Sequence, residues 1–339
     1  MAKPSPPNRR SFLQYGTTLA GAALAGSSLL TGCRGEQSDG KQPNLMWGRF
    51  GRSEGRFSKP RAMVIAPNDE LYIVDKKAWI QVFDPNDAEV ERHRGKKISE
   101  GKYIRGWQTP AYQQGKPTGL GWSNDGHLMV ADTHYYRVLF YTADGEKVEE
   151  RTIGGEFGDD PAQFHFVTDV VQDQRDHFFV GQYGQIDQIQ EFGNDGEFIR
   201  RWGSQGRGQE EFSRPQALHI DSVGLLWIAD ACNHRIQVYE VDSESPKLVQ
   251  CWGEAGSLPG QLKYPYGMDF DHDGTLLIAE FGNHRVQRFS RDGKSLEVFG
   301  SAGKEPGQFI DPWALIIDSK RNLHVLDTGN NRIQRFPLS

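Results

Sequence analysis

The chain has 339 residues, of which 37% are hydrophobic, and it carries 39 glycines and a formal charge of −6. An acidic chain repels polyphosphate, so nucleic acid is set aside as a partner. The length allows one large domain or two ordinary ones, and the glycine-rich composition suits many short strands joined by tight turns.

Residues 1–32 read as an address rather than as structure. Arg9-Arg10-Ser11-Phe12-Leu13 resembles the twin-arginine export motif. The Gly/Ala-rich stretch from Tyr15 to Leu30 is too short and too weakly apolar for a comfortable membrane span. It ends in Leu30-Thr31-Gly32-Cys33, which resembles the lipobox at which bacterial lipoproteins are cleaved. The expectation is a signal over 1–32, lipid on Cys33, an anchored linker over 33–43, and a periplasmic or otherwise extracytoplasmic protein held at a membrane. The twin-arginine resemblance implies export of a chain folded in a reducing cytosol. Cys232 and Cys251 are therefore expected to be small packing residues, not a disulfide needed for folding.

From about residue 44 to the end the chain repeats itself. Pro60, Pro117, Val167, Pro215, Pro265 and Pro312 anchor six copies. A period of about 50 residues means stacked copies of one small unit, hence one domain over 44–339. Each copy parses into four strands. In the fourth, Gln216–Asp221, Leu225–Asp230, Arg235–Tyr239 and Leu248–Trp252 are strands a to d. Asp125-Gly126, Asp195-Gly196 and Asp273-Gly274 supply the positive φ that tight hairpins need. One such sheet cannot bury both faces, and packing several around an axis does. The predicted fold is an all-β, six-bladed β-propeller. The last copy stops at strand c, while Leu45-Met46-Trp47-Gly48 matches the strand d signature Gln250-Cys251-Trp252-Gly253. The first strand should therefore complete the last blade and remove a free edge. In blade one a long connection between strands c and d holds Arg92-His93-Arg94-Gly95-Lys96-Lys97, read as a basic solvated loop on the bottom rim, with anionic lipid as the alternative neighbour.

The strings Gly307-Gln308-Phe309, Pro312, Leu323-His324-Val325-Leu326-Asp327 and Gly329-Asn330-Asn331-Arg332-Ile333-Gln334 resemble the NHL repeat. The resemblance covers 44–339 and is degraded in copy three, where Gly181 replaces the acid and Gln188 the arginine. It implies a six-bladed propeller.

Asp132/Arg137, Asp230/Arg235, Glu280/Arg285 and Asp327/Arg332 recur at the same two repeat positions. An active site needs one constellation and not four, so these read as structural ion pairs clamping the loops between strands b and c. Asn233, Asn283 and Asn330 read as residues in left-handed geometry in the same loops. The residues after the anchors do not repeat: Arg61, Thr118, Thr168, Gln216, Tyr266 and Trp313. Unlike side chains around an axial funnel suit a small-ligand or peptide pocket. The loops add His134, Tyr135, Tyr136, Tyr183, His234, Phe281 and His284. Arg61, Gln216, Tyr266, Trp313, His134 and Tyr183 are the candidate ligand-binding set. Deeper along strand a, Asp169, His219 and Asp269 interrupt a row of small residues and could take a divalent cation. Nothing in their spacing fixes convergence, so an ordinary hydrogen-bonded interior is favoured and no cofactor is expected. No Ser/His/Asp motif, phosphate loop or paired-cysteine metal site is present, and no catalytic residue can be named.

Peptidyl-alpha-hydroxyglycine alpha-amidating lyase shares the repeat, and that resemblance implies zinc held by histidines directly after the anchor proline. None of the six funnel residues here is histidine, so the fold carries over and the zinc chemistry does not. Gluconolactonase-like propellers place acidic ligands on the axis, and only Asp169 and Asp269 resemble that. The expected function is a lipid-anchored, monomeric, non-catalytic propeller presenting its top face to a protein, peptide or glycan. The alternative is a metal-dependent lyase or hydrolase using Asp169, His219 and Asp269 under Arg61 and Tyr266.

Overall fold

A computed structural model describes residues 41–92 and 96–338, the side chains of 87–100 excepted. The export residues Arg9, Arg10, Phe12 and Leu13, the lipid site Cys33, and His93-Arg94-Gly95 lie outside the described residues. The described residues form six four-stranded antiparallel sheets arranged as a six-bladed β-propeller. Blade four, for example, comprises Pro215–Ile220, Leu225–Asp230, Arg235–Glu240 and Lys247–Trp252.

Burial follows strand order. Strand b is covered on both faces, as in Leu128–Asp132 and Leu276–Glu280, and it accordingly reads as a continuous apolar run. Strand d is the outer edge, and Lys247–Trp252 alternates between exposed and half-buried positions. Hydrophobic clusters fill the gaps between adjacent blades. One joins Ala62, Tyr72 and Val82 of blade one to Leu120, Val130 and Leu139 of blade two. Another joins Leu45 and Trp47 to Leu326 and Ile333 of blade six and to Met63 and Phe83 of blade one. Leu45–Trp47 pairs antiparallel with the last strand, Leu45 opposite Arg335 and Trp47 opposite Ile333. Just ahead of it Lys41, within the expected linker, is 3.2 Å from Glu297 of blade five.

The repeat signature is a hydrogen-bonding device. Arg332 Nε lies 2.7 Å from the buried Asp327 carboxylate. Its terminal nitrogens donate to the carbonyls of Lys304, Glu305 and Gln308 in the loop between strands d and a. Arg235 and Arg285 repeat this arrangement on Asp230 and Glu280. Arg137 pairs with Asp132 at 3.0 Å. Glycine ends strand d because the loop's aromatic anchor folds back over it. At Gly203, with φ +90°, a Cβ would sit 2.4 Å from the Phe212 ring.

Three readings need correction. Left-handed geometry falls on the residue after each asparagine, at His234, His284 and Asn331, because the asparagine amides are committed elsewhere. Asn233 Nδ2, for instance, donates to Asp230 and to the Gly206 carbonyl. The blade-one insertion is not a simple loop: strand pairing runs on to Arg92 opposite Lys96. Cys232 is half-buried, but Cys251 is exposed on an edge strand and is not a packing residue.

Candidate functional site

Every strand a begins at one end of the axis, so the six first residues are brought into one ring by topology alone. A channel of about 250 Å³ runs between the blades, and Arg61, Gln216, Tyr266 and Trp313 line it at that end. Tyr266 stacks on Phe281, with ring centroids 4.7 Å apart and planes at 28°. Trp313 meets both edge-on, at 4.9 Å from Tyr266 and 5.6 Å from Phe281. Its indole Nε1 is buried and has no acceptor among the described residues. The Arg61 guanidinium stands over the Trp313 ring at 5.1 Å.

A second guanidinium closes the ring. Arg214 lies over Tyr183 at 4.7 Å and over Tyr266 at 5.2 Å. Its Nε donates to Gln216 Oε1 at 2.8 Å, holding an almost fully buried glutamine. Among the described residues neither arginine has a carboxylate ion-pair partner. Burial lowers the Arg61 pKa; Tyr183 opposes the shift and the nearby Arg214 adds to it. Burial likewise raises the Tyr266 phenol.

The structure thus gathers Arg61, Gln216, Tyr266 and Trp313 on one cavity and sets Tyr183 beside them beneath Arg214. His134 is elsewhere: it packs on Phe166 at 5.3 Å and does not line the cavity. Thr118 and Thr168 serve the blade interfaces, their hydroxyls donating to the carbonyls of Thr168 and Pro215.

Arg214 was not legible from the repeat. It precedes the anchor proline in left-handed geometry, φ 58°, as do Lys59, Tyr264 and Asp311. In each case the preceding blade captures the backbone N–H: Asn331 Oδ1 takes Lys59, His234 Nδ1 takes Tyr264, His284 Nδ1 takes Asp311, and Asp187 takes Arg214. The two histidines are therefore inter-blade locks. The available signal was that residue type varies before the proline as well as after it.

Among the described residues Asp169, His219 and Asp269 do not converge as a metal-ligand cluster. Asp169 accepts the backbone N–H groups of Val170 and, from the next blade, Leu218. Asp269 does the same with Phe270 and Ile317. Burial pushes both carboxyls up to about 7 and holds the His219 imidazolium down to about 4. His219 Nδ1 is 3.7 Å from Asp269, beyond hydrogen-bond reach. No cluster of three or more His, Cys, Asp or Glu suited to a metal exists among the described residues.

Comparison with known proteins agrees with this architecture. The chain is 28% identical over 176 residues, 49% of its length, to peptidylglycine alpha-amidating monooxygenase of Rattus norvegicus. It is 24% identical over 155 residues, 42% of its length, to NHL repeat-containing protein 3 of Mus musculus. These matches span only 16% and 44% of those two relatives. Among solved structures, a catalytically inactive virginiamycin B lyase from Staphylococcus aureus superposes with TM-score 0.55 at 15% identity, covering 85% of this chain and 86% of that one, a likeness of fold alone. Residues 212–239, within and just ahead of the first three strands of blade four, match the NHL repeat family, and the described residues form a six-bladed β-propeller.

Proposed function

We propose that the axial funnel is a binding site and that the protein is an exported, lipid-anchored module offering this mouth to a protein, peptide or glycan outside the cytoplasm. One observation carries the reading. Half-buried Arg61 lines a cavity with Tyr266 and Trp313, with Arg214 and Phe281 packed directly on Tyr266, and no metal-ligand cluster stands beside them among the described residues. Rigid aromatic and arginine side chains in a desolvated concavity are the usual energetic anchors of recognition. The export and anchoring half rests on Arg9-Arg10 and Leu30-Thr31-Gly32-Cys33.

Native mass spectrometry of the full chain purified from its own membranes tests the site. A co-purifying species present on the wild type and absent from the Arg61→Ala/Trp313→Ala double variant supports the module. Retention by the double variant removes the site from the funnel. A stoichiometric divalent ion lost in His219→Ala would instead favour a lyase or hydrolase. Loss of membrane association in Cys33→Ala tests the anchor.

A further inference from the structure

The two arginines carry the reading of the funnel one step further. A guanidinium has five N–H donors and cannot shed its charge at physiological pH. Arg61 is half-buried and makes no hydrogen bond among the described residues. Arg214 spends only Nε, on Gln216, and its two terminal nitrogens make no hydrogen bond among the described residues. Arg61 lines the cavity and Arg214 stands just behind its wall, over Tyr266 and on Gln216. The two cations repel each other, and burying unpaired charge is costly unless something compensates it. The lining offers only one carboxyl, Asp169, which is held by backbone N–H groups and drawn toward its neutral form. Asp75 and Asp187, outside the lining, offset Arg61 and Arg214 electrostatically without an ion pair to either guanidinium. In a chain of charge −6 the funnel mouth is thus a local focus of positive charge.

Geometry narrows the anion. Both guanidiniums stand over ring faces, Arg61 on Trp313 and Arg214 on Tyr183 and Tyr266. Stacking of this kind leaves the N–H edge of the fork free to grip a planar two-oxygen anion. Tyr266 and Trp313, meeting edge-on and backed by Phe281, supply an apolar corner beside the charge. A cavity of about 250 Å³ falls below the roughly 300–1,000 Å³ of drug-sized sites, so the bound portion is small.

Resting on the funnel as the binding site, we propose that it takes a small carboxylate whose acid group is held by Arg61 and Arg214 at the mouth and whose remaining part packs into the cavity beside Tyr266 and Trp313. Calorimetric titration of the full chain in detergent tests this with four probes: hippurate, its neutral amide, glucuronate and inorganic phosphate. Hippurate or glucuronate is expected to bind with Kd below about 1 mM. The amide should be at least about tenfold weaker than hippurate, and Arg61→Gln and Arg214→Gln should each cost about tenfold at unchanged melting temperature. Hippurate binding to the wild type should also weaken as salt is raised while amide binding does not, a readout independent of any variant. Preference for hippurate identifies a ring-bearing acid as the source, and preference for glucuronate an acidic sugar. Silence of both carboxylates at about 10 mM overturns the proposal. So does phosphate binding more tightly than either. An amide that binds as well as the acid overturns the anion assignment alone, provided Trp313→Ala abolishes that binding, since the funnel then still binds.

Discussion

The Asp187 carboxylate accepts the backbone N–H of Arg214 at 2.7 Å, so a side chain of blade three sets the geometry of the arginine that arms blade four. Asp187 also takes the N–H of Gly184 and is buried. Asp187→Ala leaves both donors unmet, at about 1–3 kcal/mol of stability. It also frees Arg214 from its left-handed position. Asp187→Asn keeps one acceptor oxygen and should cost about 1 kcal/mol. Urea denaturation checks the order, and loss of hippurate affinity in Asp187→Ala but not in Asp187→Asn checks the link to the funnel.

His234 gives the second prediction, in pH. Its Nδ1 accepts the Tyr264 N–H, which requires the neutral ring. Burial first, then Lys263 and Arg207, hold its pKa below the ordinary value in the folded protein. The unfolded chain therefore binds the proton more readily, and this contribution is complete above about pH 6.5 and lost as pH falls through the folded value. Asn331 makes the same lock with an amide oxygen, to Lys59 at 2.8 Å. Accordingly His234→Asn should keep neutral-pH stability within about 0.5 kcal/mol and lose less of it on acidification. His234→Ala should cost about 1 kcal/mol at neutral pH. Melts at pH 7.5 and 5.0 separate the three proteins, and an acid slope unchanged in His234→Asn would refute the lock.

Much of this was legible beforehand because each copy must satisfy the same packing and hydrogen-bonding demands. The anchor prolines, the acid–arginine pairs and the Trp47 strand signature all express those demands. Blade three shows where legibility ends. Its copy lacks the strand-b acid and the strand-c arginine, and Asp187, one residue before Gln188, supplies a carboxylate at a position the repeat does not mark. Asp169 and Asp269 were visible as polar interruptions, but their partners, Leu218 and Ile317, are backbone groups of the next blade. No side-chain pattern can announce those.

Those two carboxyls give the third prediction. Burial raises each to about 7, against the ordinary aspartate value, so the folded state prefers the proton. For a raised acid the contribution is complete below about pH 4 and is lost as pH rises toward 7. Asp269→Asn removes that titration. Relative to wild type, the variant should therefore gain stability between about pH 4 and pH 7, and a constant offset across that range would show that Asp269 stays ionised.

The ring closure makes the fourth. Trp47 is 3% exposed, packs against Phe83 and His324, and belongs to the cluster that joins blades six and one. A fully packed tryptophan cut to alanine costs about 3–5 kcal/mol through lost contacts and a residual cavity. Here the loss falls on a strand held to Arg332–Pro337 by only three register pairs. Trp47→Ala should therefore release Leu45–Trp47 and bare the edge of the last strand, which invites pairing with another molecule. Size-exclusion chromatography should show concentration-dependent association, and hydrogen exchange should rise at Ile333 and Arg335 before the rest of the blade. A variant that stays monomeric with those amides protected would mean the velcro strand is held by its backbone alone.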